Sequence, residues 1–231
     1  MKQVPGHSCT RRQLLASLGL LAAGVYSWTP ARASNVKAPM SADEALSRLK
    51  QGNDSFVRLM TTTRSQTIAE RTALGLGQSP FATILSCADS RTTPEVLFNT
   101  GLGDIFVVRV AGNVVTATEQ GSIEYSAAEL KSPLVVVMGH SSCGAVKAAI
   151  ARAKGETFPG DIEEIADLIA PAAKATKSKP GDWVYNTTIE NVQRSITTLR
   201  GSSVLSGMKS TTGLKIVGAY YELESGRVDF L

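Results

Sequence analysis

Histidine and cysteine are scarce in this sequence: two His and three Cys in 231 residues. So small a set leaves room for one disulfide or one metal site, not for a cross-linked scaffold. Charged residues are 19% and aromatics 6%, against 43% hydrophobic, which excludes a disordered chain and fits one globular domain with a full-sized core. Internal repeats, low-complexity tracts and a second domain are also missing.

A basic mature protein is absent too, although the formal charge is +4. Residues 1–33 have the pattern of an export signal: Lys2, Arg11 and Arg12 without an acid, an apolar stretch from Leu14 to Trp28, then Ala31-Arg32-Ala33 before Ser34. The stretch is short for a spanning helix, which needs about 20 residues. Arg11-Arg12-Gln13-Leu14-Leu15 is similar to twin-arginine signals. The expectation is export, to the periplasm by the twin-arginine route, with no membrane anchor after processing. Four of the 24 basic residues lie in 1–33, leaving 20 against 20 acids. With that balance, nucleic-acid binding loses its compositional support. His7 and Cys9 leave with the signal, so residues 34–231 keep only Cys87, His140 and Cys143.

The remaining chain reads as alternating helices and strands. Ser41 with Glu44 forms a capping-box pattern ahead of an amphipathic helix over 42–58. A second helical piece follows near 68–75. Nearly continuous apolar runs at 81–86, 105–110 and 134–138 read as buried strands, with a last strand at 214–222. Helices are expected at 93–98, 119–131, 142–153, 161–175 and 182–200. This order predicts an α/β fold: a mainly parallel central sheet flanked by helices, with an N-terminal helical arm. Cys87 follows the first strand and His140 the third, so both fall at the carboxyl edge where such sheets bind ligands.

The chemistry concentrates in Cys87-Ala88-Asp89-Ser90-Arg91 and His140-Ser141-Ser142-Cys143-Gly144. Two thiolates and an imidazole suit zinc, which in a tetrahedral site needs a fourth donor. Water in that place makes the site catalytic, because zinc brings the pKa of bound water from about 16 to roughly 7. Asp89 in that place makes it a closed, non-catalytic site. Arg91, two residues from Asp89, can hold that carboxylate bidentately and keep it off the metal. An alternative without metal is a Cys87–Cys143 disulfide, natural in an exported protein.

C-A-D-S-R followed by H-S-S-C-G, with Cys87 and His140 53 residues apart, resembles the β-class carbonic anhydrases over roughly residues 41–231. Supporting stretches are Gln78-Ser79-Pro80, Phe106 to Asn113, Gly121 to Tyr125 and Gly218 to Leu223. The resemblance implies one Zn2+ per subunit on Cys87, His140 and Cys143, and reversible CO2 hydration by attack of zinc-bound hydroxide. It implies Asp89, Arg91 and Gln78 as catalytic residues, with Asp89 as a fourth ligand in a closed state. Phe106, Tyr125, Ala111 and Gly144 would belong to the substrate pocket, Phe106 and Tyr125 across a dimer interface. A homodimer or tetramer acting on CO2 and bicarbonate is expected. Ile84 stands where some members have the Trp of a bicarbonate inhibition site, so that site is expected to be lacking. Hydrolysis of a CO2 analogue, CS2 or COS, remains the alternative activity.

Overall fold

The computed structural model describes residues 40–62 and 67–231. The export signal expected at 1–33 lies outside the described residues. Helix α1 (Ala42–Val57) starts from the expected capping box: Ser41 Oγ accepts from the Glu44 amide at 3.2 Å, and Glu44 accepts from the Ser41 amide at 2.8 Å. Helix α2 (Ile68–Leu74) starts from a second box built on Thr67 and Glu70. The chain continues through β1 (Ala82–Ser86), α3 (Pro94–Leu97), β2 (Ile105–Arg109), a 3-10 turn at Ala111–Asn113 and α4 (Ala117–Ala128). Then come β3 (Leu134–His140), α5 (Gly144–Ala153), α6 (Ile162–Thr176), α7 (Trp183–Arg200), α8 (Ser203–Thr212), β4 (Lys215–Tyr221) and β5 (Val228–Phe230).

The sheet order is β2-β1-β3-β4-β5, with all pairs parallel except the antiparallel β4–β5. The expected mainly parallel α/β sheet is therefore present. Alternation along β3 divides the core. Leu134, Val136 and Met138 face α1 and α3 with Leu49, Ile84 and Phe98. Val135 and Val137 face α7 and α8 with Leu85, Val192 and Ile196. Val, Ile and Leu on both faces explain why the central strands read as continuous apolar runs. A third buried group, including Val114, Val146 and Ile169, packs around Cys87 and Cys143.

Two elements go beyond the sequence reading. The segment Val228–Phe230 forms a strand: β5 pairs Val228 with Tyr221 and Phe230 with Ala219. Helix α8, capped by Ser202, was not expected; Leu205 is its one buried residue. Topology also locates the site. From β1 the chain steps to β2 on one side, then crosses to β3 on the other. The carboxyl ends of β1 and β3 flank the crevice such a reversal opens. Among the described residues, no helix is long and apolar enough to cross a membrane.

Candidate metal centre

Cys87 leaves β1, His140 ends β3 and Cys143 caps α5, so three segments meet at the crevice. All three side chains are withdrawn from water, at 4%, 1% and 1% exposure. Their donor atoms lie within 4.8 Å of one another. The two Sγ atoms are 4.0 Å apart and both thiols are free. A disulfide needs about 2.05 Å, so the cross-linked alternative is not the one adopted.

His140 is set for one nitrogen to ligate. Its Nδ1 lies 2.9 Å from the carbonyl oxygen of Ser141. A carbonyl only accepts, so Nδ1 carries the proton and Nε2 offers its lone pair. That Nε2 is buried and has no hydrogen-bond partner. An orphaned buried acceptor beside two thiols is costly unless a cation completes it. Ser141 is itself fixed to β4: its amide donates to Tyr221 O at 2.9 Å, and its Oγ accepts from the Leu223 amide at 2.9 Å.

One of the two thiols, Cys87, is prepared for ionisation. Hydrogen bonding from Cys143 brings the Cys87 thiol down to about 4 against the opposing effect of burial, with help from the Gly112 and Asp89 amides. The Cys87 thiolate in turn pushes the Cys143 thiol up, so the metal-free pair holds one proton in common. A cation would displace it and let both ligate as thiolates. Cys143 also sits at the N-cap of α5, where the helix amides favour negative charge.

Asp89 stands at the rim. Arg91 grips it bidentately, Nε to Oδ1 at 2.9 Å and a terminal nitrogen to Oδ2 at 2.7 Å, and the Arg91 amide adds a third bond at 3.0 Å. This grip holds the carboxyl well below the usual carboxylate range. Asp89 Oδ2 is 4.0 Å from His140 Nε2. The carboxylate thus faces the donor cluster with both oxygens engaged elsewhere.

The structure also shows residues that the sequence reading did not single out. Arg109, at the end of β2, donates to Cys87 O at 3.0 Å and to Asp89 O at 2.6 Å. Thr92 Oγ1 lies 2.9 Å from the same two carbonyls. Together they pin the loop that carries one thiol and the carboxylate. A lone arginine in the apolar run Ile-Phe-Val-Val-Arg-Val was the available signal, because a cation there needs a dedicated partner. The Gly112 amide donates to Cys87 Sγ at 3.2 Å. Gly112 has φ +73, which favours glycine; a Cβ there would also crowd Ala145 Cβ at 3.1 Å and require Ile169 Cδ1, at 2.4 Å, to move aside.

The remaining expected residues divide. Ala111 is part-buried beside Gly112, and Gly144 is exposed beside Cys143 with open space where a side chain would stand. Phe106 and Tyr125 pair with each other, ring centroids 6.4 Å apart, but not with this chain's donor cluster. Phe106 is opposite Thr83, four residues before Cys87, on the edge strand β2. Tyr125 is 46% exposed. Gln78 is exposed just ahead of β1.

Comparison with known proteins matches this arrangement to one family. The model of the carbonic anhydrase family matches residues 82–228, a span that includes all three donors. Carbonic anhydrase 2 of Mycobacterium tuberculosis is 40% identical over 181 residues, covering 78% of this chain and 87% of the relative. A carbonic anhydrase of Mycolicibacterium smegmatis is 40% identical over 189 residues, covering 78% and 89%. The chain belongs to the β-class carbonic anhydrases. Solved structures share the fold. One, described as one of two tetrameric β-carbonic anhydrases from Sordaria macrospora, superposes with TM-score 0.65 at 24% identity, over 72% of this chain and 87% of that one. A β-carbonic anhydrase of Aspergillus fumigatus gives 0.64 at 22%, over 82% and 89%. As a carbonic anhydrase, the chain has its donor cluster where the sheet reverses, between β1 and β3.

Proposed function

We propose that this carbonic anhydrase holds one zinc ion on Cys87 Sγ, His140 Nε2 and Cys143 Sγ and hydrates CO2 to bicarbonate. One observation supports this above the others: a buried, unpartnered imidazole nitrogen faces two free thiols, within 4.8 Å. Sulfur, nitrogen and sulfur donors in a dry pocket fit zinc, with a fourth position left to water. When bound, zinc supplies Lewis acidity that makes water a nucleophile near neutral pH.

The chain's own residues do the rest. Arg91 occupies both Asp89 oxygens, which disfavours ligation by Asp89 and so favours the open site over the closed one. From that position Asp89 accepts a hydrogen bond from the attacking oxygen and aims it. Because Arg91 keeps Asp89 ionised, it remains an acceptor throughout the neutral range. Gln78 donates to the substrate oxygen on which charge grows. The pair of part-buried Phe106 on edge strand β2 and exposed Tyr125 on α4 would line the apolar CO2 pocket of a second copy, as in a homodimer or tetramer. Export to the periplasm through the twin-arginine signal at 1–33 belongs to the same reading.

The test is zinc content measured together with CO2-hydration stopped flow from roughly pH 6 to 9, bracketing the expected ionisation of water on zinc. One zinc per chain and a rate rising through that interval are expected. A zinc-replete protein without hydration activity would refute the proposal.

A further inference from the structure

Helix α7 lies behind the donor cluster and presents one face to it. Thr188, Asn191, Val192 and Ser195 recur at helical spacing, so they share that face. A Cβ on Gly139, the residue before His140, would be 2.6 Å from Thr188 Cγ2 and 3.0 Å from Val192 Cγ2. Helix and strand end are thus in direct contact. Asn191 Nδ2 donates to Gly112 O at 2.7 Å, and Ser195 Oγ donates to Asn113 O at 3.1 Å. Both polar residues are buried.

These two bonds hold consecutive carbonyls of the 3-10 turn that aims the Gly112 amide at Cys87 Sγ. The turn needs holding. Gly112 at φ 73 and Asn113 at φ 45 both occupy the left-handed region. The Gly112 amide shares the Cys87 sulfur with the backbone amide of Asp89. A buried side-chain amide and a hydroxyl need partners wherever they lie. Here both are spent on a turn whose amide touches a ligand sulfur.

We propose that Asn191, supported by Ser195, is a positioning residue for the metal centre: by holding the Gly112 carbonyl it fixes the turn in which the Gly112 N–H, on the preceding peptide, hydrogen-bonds the Cys87 sulfur and tunes that thiolate as a ligand. The inference rests on metal binding at Cys87, His140 and Cys143. A hydrogen bond to a ligand sulfur draws electron density from it, which governs both the charge-transfer energy and the retention of the metal. Without Asn191 the turn relaxes and the amide leaves the sulfur.

The test substitutes cobalt(II) for zinc in the whole chain and compares wild type with Asn191→Asp, Ser195→Ala and Thr187→Val. Asn191→Asp keeps the shape and removes the donor. Ser195→Ala is the milder variant, and it decides the matter if Asn191→Asp does not fold. Thr187, buried on α7 and bonded to Thr176, does not touch the turn and controls for general destabilisation. The thiolate-to-cobalt band should move to longer wavelength in Asn191→Asp and, less, in Ser195→Ala. Loss of metal to a chelator should quicken by about ten-fold or more in Asn191→Asp. Thr187→Val should keep the wild-type band although its melting temperature falls. If wild type binds cobalt and the band stays fixed in both turn variants, or shifts equally in Thr187→Val, Asn191 is merely structural and the inference is overturned. If wild type takes up no cobalt or zinc at all, the metal reading fails and this inference with it.

Discussion

Arg109 Nε donates to the carbonyl oxygen of Cys87 at 3.0 Å, across the β1–β2 pair. A second guanidinium nitrogen takes Asp89 O, so one side chain orients the loop bearing a ligand thiol and the carboxylate. Lysine cannot reproduce this planar fork. Arg109→Lys should therefore lower zinc affinity by about ten-fold, the range for groups that orient ligands, as read by chelator competition. Unchanged affinity would show that Thr92 alone suffices to hold the loop.

Arg91→Ala frees Asp89 to approach the metal. Turnover should fall by roughly 100-fold, the scale of a misplaced reacting group, while zinc content stays at one per chain. The stability effect has a definite pH sense. The folded value of Asp89 is depressed, so the pair's contribution is present above the ordinary carboxylate value and vanishes as acid protonates Asp89 below it. Melting curves of wild type and variant should differ most at neutral pH and converge in strong acid.

Gly112→Ala puts a methyl group 2.4 Å from Ile169 Cδ1 in a left-handed backbone. Overpacking and backbone strain together should destabilise by about 2–4 kcal/mol in denaturant unfolding. Gly144→Ala, with open space around it, should leave stability nearly unchanged and serves as the contrast.

Ser142 has φ 56, between two ligands. Ser142→Val should destabilise the protein and disturb the spacing of His140 and Cys143, because a β-branched residue is poorly tolerated there. Ser142→Gly should retain the wild-type metal content. Metal analysis and melting temperature of the pair decide it.

For the export reading, N-terminal sequencing of protein from the periplasmic fraction should begin at Ser34. Arg11→Lys with Arg12→Lys should keep the precursor inside the cell. A periplasmic product from the double variant would exclude the twin-arginine route.

Much of this centre was legible in the sequence because few residues could build it. Cys87, His140 and Cys143 are the only cysteines and histidines after residue 33, and the buried runs of β1 and β3 deliver them to one edge. Other features were hidden for physical reasons. β5 has three residues, too few to establish a period, and its pairing with β4 is a long-range fact. α8 has a short apolar stripe, Val204, Leu205 and Met208, but the rest of its ten residues are polar or Gly207, too weak a pattern to stand out. Asn191 and Ser195 read as ordinary polar positions of an amphipathic helix. Their role depends on which turn lies against α7, and no local pattern records that.

β1 and β3 are parallel neighbours, so no hairpin can join them. The chain must travel through α3, β2 and α4 before His140 comes alongside Cys87. A nascent or half-folded chain that has not finished this crossover has no place for the ion. A zinc ion held as proposed would be retained only by molecules whose two central strands have docked in register, so metal retention would report on that docking.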